Sequence, residues 1–505
     1  MGNSPHIVSI HVLDDDSLLN IFYLYRPFFF CEDETDLIHF KHLLGGIEPW
    51  DQGRWWYRLV HVCQRWRNLI LGSANYLRLS LVCTNGTPVQ NMLAHSPPLP
   101  LTVDYINEDG ITAEDEEGLL LALEQRNRVR HIRLVFPVQN LQKLVKAIDE
   151  EFSTLEYLIV HPRTEDSAVL LLPETLHAPH LRHLALRGFT CPIRPQLYPT
   201  AASLVTLYLE VNHPSAYFQP NVLLQWISFM PQLERLVILF IFAVPSRDLE
   251  RQLTRTPITT HITLPNLRSF WFRGISAYLE AVVCRITTPR LEKLQIQLFN
   301  QLTFSIPLLP QFIYTTETLR FDSADIDFSN NQARVETYIR ETDALAFTIK
   351  VYCRSLDWQV SSATQISNAL SQALSAVEHL TLRHQVHSHS SEEHNYVDRI
   401  EWRNLLRLFS NVKTLCVEDG LVEELSHCLR LEGQELSLEL LPELQELTYF
   451  GSRNLGDTFI PFIHARQNAG RSVTLVRHGP RPNPLSSGPP AMTSSSDKAG
   501  NDIET

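Results

Sequence analysis

The feature that most constrains this chain is a short apolar spacing that keeps returning. An L-x-x-L-x-L pattern falls at Val129, Ile132 and Leu134, at Leu155, Leu158 and Val160, and at Leu181, Leu184 and Leu186. It continues at Leu204, Leu207 and Leu209, at Leu233, Leu236 and Ile238, at Leu267, Phe270 and Phe272, and at Leu291, Leu294 and Ile296. Later copies are Val377, Leu380 and Leu382, then Val412, Leu415 and Val417, then Leu444, Leu447 and Tyr449. Successive starts at 129, 155, 181, 204, 233, 267 and 291 differ by 26, 26, 23, 29, 34 and 24 residues. Weaker copies near Leu319–Phe321 and Phe347–Ile349 fill the gap before Val377. The apolar positions alternate as strand does. Helix-like runs, such as Val222 to Phe229 and Thr364 to Ala376, lie between the copies.

A short strand with one apolar face cannot bury that face alone. Stacked copies pair their strands into a parallel sheet and share a continuous core. A non-repeating α/β fold also alternates strands and helices, but ten copies argue against it. The expected class is therefore α/β, with residues 129–477 forming one curved solenoid around a parallel sheet. These units resemble leucine-rich repeats, whose period lies in this range. The asparagine that usually follows the strand in that family occurs at its offset only as Asn212. The uneven spacing implies irregular curvature.

With the leucines pointing inward, the residues between them face the concave side. That reasoning selects Arg187, Tyr208, Arg235, Trp271, Arg273 and Lys293 as candidate target-binding residues, with His183, Thr206, Glu210 and Gln297 beside them. Trp, Tyr and Arg are the side chains that most often anchor interfaces. The bland alternative is that scattered surface aromatics are ordinary.

Before the repeats lies a second pattern. Asp14, Asp15, Asp16 and Ser17 supply cap and first-turn chemistry for a helix carrying Leu18, Ile21, Phe22 and Tyr25, which Pro27 stops. In the run from Trp55 to Ile70, the residues Leu59, Val62, Cys63, Trp66, Leu69 and Ile70 stand at offsets 0, 3, 4, 7, 10 and 11, one face of a single helix. On periodicity alone this is an ordinary amphipathic core helix. Its wording, L-V-x-V-C-x-R-W-R-x-L, resembles the last helix of an F-box, and VLDDDSLLNIF resembles the opening of one. Asp14 stands where that family usually has proline, and residues 27–54 make a longer insert than the compact family form has. The resemblance, to divergent F-box proteins of the kind abundant in fungi, covers roughly residues 10–80, under a fifth of the chain.

The domain reading is thus an F-box-like helical module at 10–80 with its insert at 27–54, a connector and capping helix at 81–128, the solenoid at 129–477, and a Pro-, Gly- and Ser-rich tail at 478–505 expected to be disordered. Within the connector, Thr112 with Asp115 makes a capping-box-like start, and Leu119, Leu120 and Leu123 give the helix an apolar face.

Other function classes find little support. The chain carries 43 basic and 56 acidic residues for a net charge of −13, which repels phosphate backbones and argues against general nucleic-acid binding. Its eight cysteines include no CxxC pair, so a disulfide framework or zinc knuckle is not indicated and buried thiols in a reducing compartment are expected. No signal peptide is recognisable, and the longest apolar run, Leu236 to Val244, is nine residues, too short to span a bilayer. An intracellular place, cytoplasmic or nuclear, is expected, with no membrane partner. There is no glycine-rich phosphate loop, no GxSxG elbow and no HExxH, so an enzyme is a distant third reading. No cofactor or metal is expected. The best metal candidate, His384, His387, His389 and His394 with Glu392 and Glu393, sits in a polar, Ser-rich stretch that reads as a loop.

The two resemblances together imply a substrate receptor of an SCF-type ubiquitin ligase. The N-terminal module would dock a Skp-type adaptor, and through it a cullin ligase, using Leu13, Leu18, Ile21, Phe22, Leu59, Val62, Cys63 and Trp66. The solenoid would hold an unknown target protein. The alternative is a stand-alone leucine-rich-repeat scaffold whose N-terminal helices only cap the repeats, because repeat arrays need polar-faced caps.

Overall fold

The computed structural model describes residues 12–26, 54–107, 110–162, 170–171, 176–190, 201–241, 261–299, 306–316, 318–319, 321–329, 331–341, 344–353, 355–385, 399–430, 440–450 and 457–478. Most of the insert at 27–54, most of the His384–His394 stretch and the tail after His478 lie outside them. The chain divides into two compact units, Met1–Arg320 with Ala344–Tyr352, and Phe321–Asp343 with Cys353–Thr505.

The first unit opens with α1 (Asp15–Tyr25). The Asp14 carboxylate accepts the Ser17 N–H at 2.7 Å, and that bond holds its pKa below the usual carboxylate value. The run after residue 54 is not one helix. It forms α2 (Trp55–Leu59) and α3 (Gln64–Gly72), and Cys63 stands in extended backbone at the start of α3. Val60 donates back to Trp56 in the last turn of α2, and the Arg67 guanidinium donates to the Val60 carbonyl at 3.1 Å, which satisfies the acceptor exposed by the break. The single apolar stripe from Leu59 to Ile70 therefore does not exist in three dimensions.

Among the described residues the sheet of the first unit has ten strands: β1 (Leu81–Cys83), β2 (Leu101–Ile106), β3 (Val129–Phe136), β4 (Tyr157–Pro162), β5 (His183–Arg187), β6 (Thr206–Val211), β7 (Arg235–Phe240), β8 (Ser269–Gly274), β9 (Lys293–Leu298) and β12 (Ala344–Tyr352). Each pairs in parallel with the next. The first two strands fall in the segment 81–128, so that stretch contributes sheet as well as α4 (Val89–His95) and α5 (Ala113–Glu124). The Thr112 hydroxyl accepts the Asp115 N–H at 3.1 Å, the cap expected for α5. Leu119 and Leu123 are buried, whereas Leu120 faces out.

The repeat positions line up in rows. Leu158, Leu184, Leu207, Leu236, Phe270, Leu294 and Phe347 occupy one register line across seven neighbouring strands. All thirty apolar positions of the ten copies, in both units, are at most 5% exposed. Removing such side chains from water contributes about 1.5–3 kcal/mol each. Crossovers cover this face, among them α6 (Val138–Ala147), α7 (Pro220–Ile227), α8 (Ser276–Val283) and α9 (Leu309–Thr315), whose inward residues, such as Leu141, Leu223, Leu279 and Phe312, are buried. Glu280 of α8 is a buried carboxylate that accepts the N–H groups of Leu308 and Leu309 at 2.7 and 3.0 Å, capping α9; burial still raises its pKa. Gly188 after β5 has φ +68°, and an added Cβ would lie 3.0 Å from Pro162 Cγ and 3.1 Å from Asn212 Oδ1. The lone family-like asparagine thus packs where only glycine fits.

The second unit is not wholly parallel. β10 (Ser323–Ser329) and β11 (Gln332–Ile339) form an antiparallel hairpin. From β10, parallel pairing continues through β13 (His379–Gln385), β14 (Thr414–Val417), β15 (Glu446–Phe450) and β16 (Thr474–His478). The weak copy at Phe347–Ile349 is strand β12, whereas the one at Leu319–Phe321 ends just before β10. Helices α10 (Leu356–Ala369), α11 (Arg399–Arg407), α12 (Val422–Leu429) and α13 (Ile460–Asn468) alternate with the strands. Trp402 is buried edge-on to Phe328 at 5.4 Å and donates to Glu424 at 3.0 Å. Among the described residues no helix is long and apolar enough to cross a membrane.

Candidate functional site

Two surfaces carry the residues singled out from the sequence. The first is the half-exposed face of the ten-stranded sheet, opposite the leucine rows. Strand register arranges it as three lines. The first runs Thr102, His131, Tyr157, His183, Thr206, Arg235, Ser269, Lys293. The second runs from Asp104 and Arg133 through Ala185, Tyr208, Val237, Trp271 and Gln295 to Thr348. The third includes Arg187, Glu210, Leu239, Arg273, Gln297 and Lys350. All six candidate target-binding residues lie on these lines. Lys293 is only 8% exposed, so it stands among buried groups and not on the open surface where the sequence placed it.

The middle of this face is tied together. The Arg187 guanidinium pairs with Glu210 at 2.7 Å and also contacts the His161 imidazole. The Tyr208 hydroxyl donates to the other Glu210 oxygen at 2.5 Å. Burial, with the Glu210 charge second, raises the Tyr208 pKa, so the phenol stays protonated as a donor. Nearer β1, Arg133 grips Asp104 with two bonds of 2.7 and 2.6 Å. Tyr157 stacks on His183 at 4.2 Å and meets His131 edge-on at 4.5 Å. Burial, then the neighbouring arginine, pushes His131 down to about 4, His161 to about 3 and His183 to about 4; all three are neutral at pH 7. Toward β12, the Arg273 guanidinium lies 5.6 Å from the Tyr352 ring centre, and Gln297 donates to the Tyr352 hydroxyl at 2.5 Å.

Sequence reasoning did not single out Asp104, Arg133, His131 or His161. The signal was present for three of them: the Val129, Ile132, Leu134 copy puts His131 and Arg133 at its alternate positions, and His161 follows Val160 as Arg187 follows Leu186.

The second surface is the N-terminal module. Phe22 meets Trp66 edge-on with ring centres 4.9 Å apart, and Arg65 bonds both Asp15 at 2.7 Å and the Leu13 carbonyl at 2.7 Å, joining α3 to the start of α1. Leu18 and Phe22 are therefore core, at 0% and 1% exposed, and not an open face. Leu13, Leu59, Cys63 and Trp66 are half-buried, while Ile21 and Val62 are exposed. Trp55 and Trp56 are buried, and the Trp56 indole N–H donates to the Ser80 carbonyl just before β1 at 3.3 Å. Fourteen large hydrophobic side chains are exposed among the described residues, and seven of them, Val12, Ile21, Tyr23, Leu24, Tyr25, Val62 and Tyr76, lie between residues 12 and 76. The other seven are spread from Leu120 to Ile460.

Among the described residues no group of three or more His, Cys, Asp or Glu side chains is placed to hold a metal; His387, His389 and His394 lie outside them. Burial pushes the Cys83 thiol up to about 12, which leaves it protonated and unreactive.

The register and the buried triples define an α/β fold built of stacked strand–crossover repeats around parallel sheet, of leucine-rich-repeat type. No family model matches the chain, and no curated protein sequence matches it. Among solved structures the chain is similar to the leucine-rich repeat-containing protein LegL7 from Legionella pneumophila, at 13% identity, covering 78% of this chain and 98% of that one with a TM-score of 0.26.

Proposed function

We propose that this protein is a non-enzymatic interaction scaffold that works as the substrate receptor of an SCF-type ubiquitin ligase. The N-terminal module docks a Skp-type adaptor, and the open face of the ten-stranded sheet holds the target protein. Catalysis belongs to other subunits; this chain supplies proximity. The observation that carries the reading is the concentration of exposed apolar side chains on the module, with Leu24 72% and Val62 58% exposed. Isolated surface hydrophobes are ordinary, but a cluster marks an interaction surface.

The test is co-purification of a Skp-type adaptor with the full chain. Wild type should retain it. Leu24→Asp and Val62→Asp should lose it while the melting temperature stays unchanged, since neither side chain is part of the core. Wild type that never retains an adaptor, across several salt concentrations, removes the ligase reading.

One observation favours a second reading, in which the helices only cap the repeats. Trp56 is bonded to the Ser80 carbonyl, and the Arg54 guanidinium donates to the Thr87 hydroxyl at 3.0 Å, so the module is fastened to the start of the sheet. Under that reading Trp56→Ala lowers the melting temperature and no adaptor is found with wild type.

A further inference from the structure

Charge on the open face of the ten-stranded sheet runs against the charge of the chain. Over the whole sequence acids outnumber bases, for a net −13. On the three register lines the half-exposed cations Arg133, Arg187, Arg235, Arg273 and Lys350 accompany only two carboxylates, Asp104 and Glu210. Both carboxylates are already occupied, Asp104 by Arg133 and Glu210 by Arg187. Among the described residues Arg235 and Arg273 have no carboxylate partner, and the Arg273 Nε is buried with no hydrogen-bond acceptor.

Their spacing is informative. Ser269 pairs with Arg235 across the β7–β8 ladder, so Arg235 stands level with the start of β8 and Arg273 stands four residues along it. That offset is roughly 13 Å along the strands. Trp271 lies midway, pairing with Val237 on one side and Gln295 on the other. Cation, aromatic platform and cation thus follow one another at two-residue steps. An extended peptide has the same rise, with residues i, i+2 and i+4 on one side.

We infer that this face takes an extended acidic peptide segment, running along the strands, with two carboxylate residues four apart and an apolar side chain between them. The carboxylates meet Arg235 and Arg273, and the apolar side chain lies on Trp271. The inference rests on the open face being the target-holding surface, and it names the chemistry of the target. Carboxylate fits better than a nucleic-acid backbone. The acidic remainder of the chain repels a polyanion at long range, while two arginines suffice for two carboxylates.

The experiment uses the full chain and fluorescence anisotropy with a labelled short peptide of pattern Glu-x-Leu-x-Glu. Three competitors are a Gln-x-Leu-x-Gln isostere, a peptide of the same composition with its two glutamates adjacent, and a single-stranded oligonucleotide. The acidic peptide should bind, and binding should weaken as salt rises from about 50 to 500 mM. The amide isostere should bind about tenfold more weakly or worse. Arg235→Gln with Arg273→Gln should lose at least about tenfold with an unchanged melt, and Arg273→Lys should recover part of it. Equal binding of the isostere, equal binding of the adjacent-glutamate peptide, displacement by the oligonucleotide, or an unaltered double variant would each overturn the proposal. Adaptor retention is scored separately on the same preparations. Adaptor loss with intact peptide binding removes the ligase reading alone, and retained adaptor without peptide binding removes this inference alone.

Discussion

Trp66 meets Phe22 edge-on, ring centres 4.9 Å apart, and this contact locks α3 to α1. It gives Trp66 a structural task that is separate from any partner. Phe22→Ala should cost about 3–5 kcal/mol, the usual range for a buried aromatic. Trp66→Ala should fall below that, because Trp66 is half-buried. Urea unfolding followed by tryptophan fluorescence measures both. If Trp66→Ala left unfolding untouched while adaptor capture vanished, the ring would belong to the partner and not to the module.

The leucine rows make a second prediction. Leu184 is 5% exposed on its register line, between Leu158 and Leu207, and Leu184→Ala should cost about 2–5 kcal/mol. Leu120, on the outer side of α5, is 38% exposed, and Leu120→Ala should change stability by no more than about 0.5 kcal/mol. Equal effects in thermal or urea melts would contradict the alternation of buried and open faces.

What could be read from the sequence follows from what each signal depends on. The L-x-x-L-x-L triples were legible because a strand buried on one face leaves a period of two, and every one of those positions is buried. The hairpin of β10 and β11 was missed although Ala324, Ile326 and Phe328 alternate on one side of Asn330-Asn331, and Ala333 and Val335 on the other. That is a hairpin signature, but it lacks the leading leucine of the repeat. The break between α2 and α3 was not legible. The apolar residues on both sides of Val60–Cys63 happen to continue a helical period, and only the backbone shows that Cys63 is extended. On the open face, the sequence located the arginines and aromatics. It could not show which of them are consumed by neighbours, since the Arg187–Glu210 and Arg133–Asp104 pairs depend on strand register.

That first pair gives a third prediction. Glu210 is 9% exposed and receives both Arg187 and the Tyr208 hydroxyl. Glu210→Ala leaves a largely buried guanidinium without its counter-charge and should cost about 3 kcal/mol, the low end for a broken buried pair. Tyr208→Phe removes only one hydrogen bond to a charged group and should cost about 1.5 kcal/mol. A Tyr208→Phe loss larger than that of Glu210→Ala would show that the phenol, not the ion pair, organises the face. If the two losses summed in the double variant, the three groups would not form one network.

The last prediction concerns pH. Burial holds His131 at about 4, His161 at about 3 and His183 at about 4 in the folded chain, against an unfolded value of about 6.5. Below that unfolded value the unfolded chain takes up protons that the folded chain refuses, so unfolding gains favour as pH falls. The stability these residues contribute is complete above about pH 6.5 and is lost progressively as pH drops toward 4. Melting temperature should therefore decline between pH 7 and pH 5. His131 and His183 both pack against Tyr157, so His131→Phe and His183→Phe, which keep the ring and remove the titration, should flatten that decline. Arg187→Gln should act differently. It removes the cation that helps to depress His161, moves that imidazole upward and shrinks its share of the pH dependence, while costing the Glu210 pair. A pH profile identical in wild type and in His131→Phe/His183→Phe would place the acid sensitivity elsewhere in the protein.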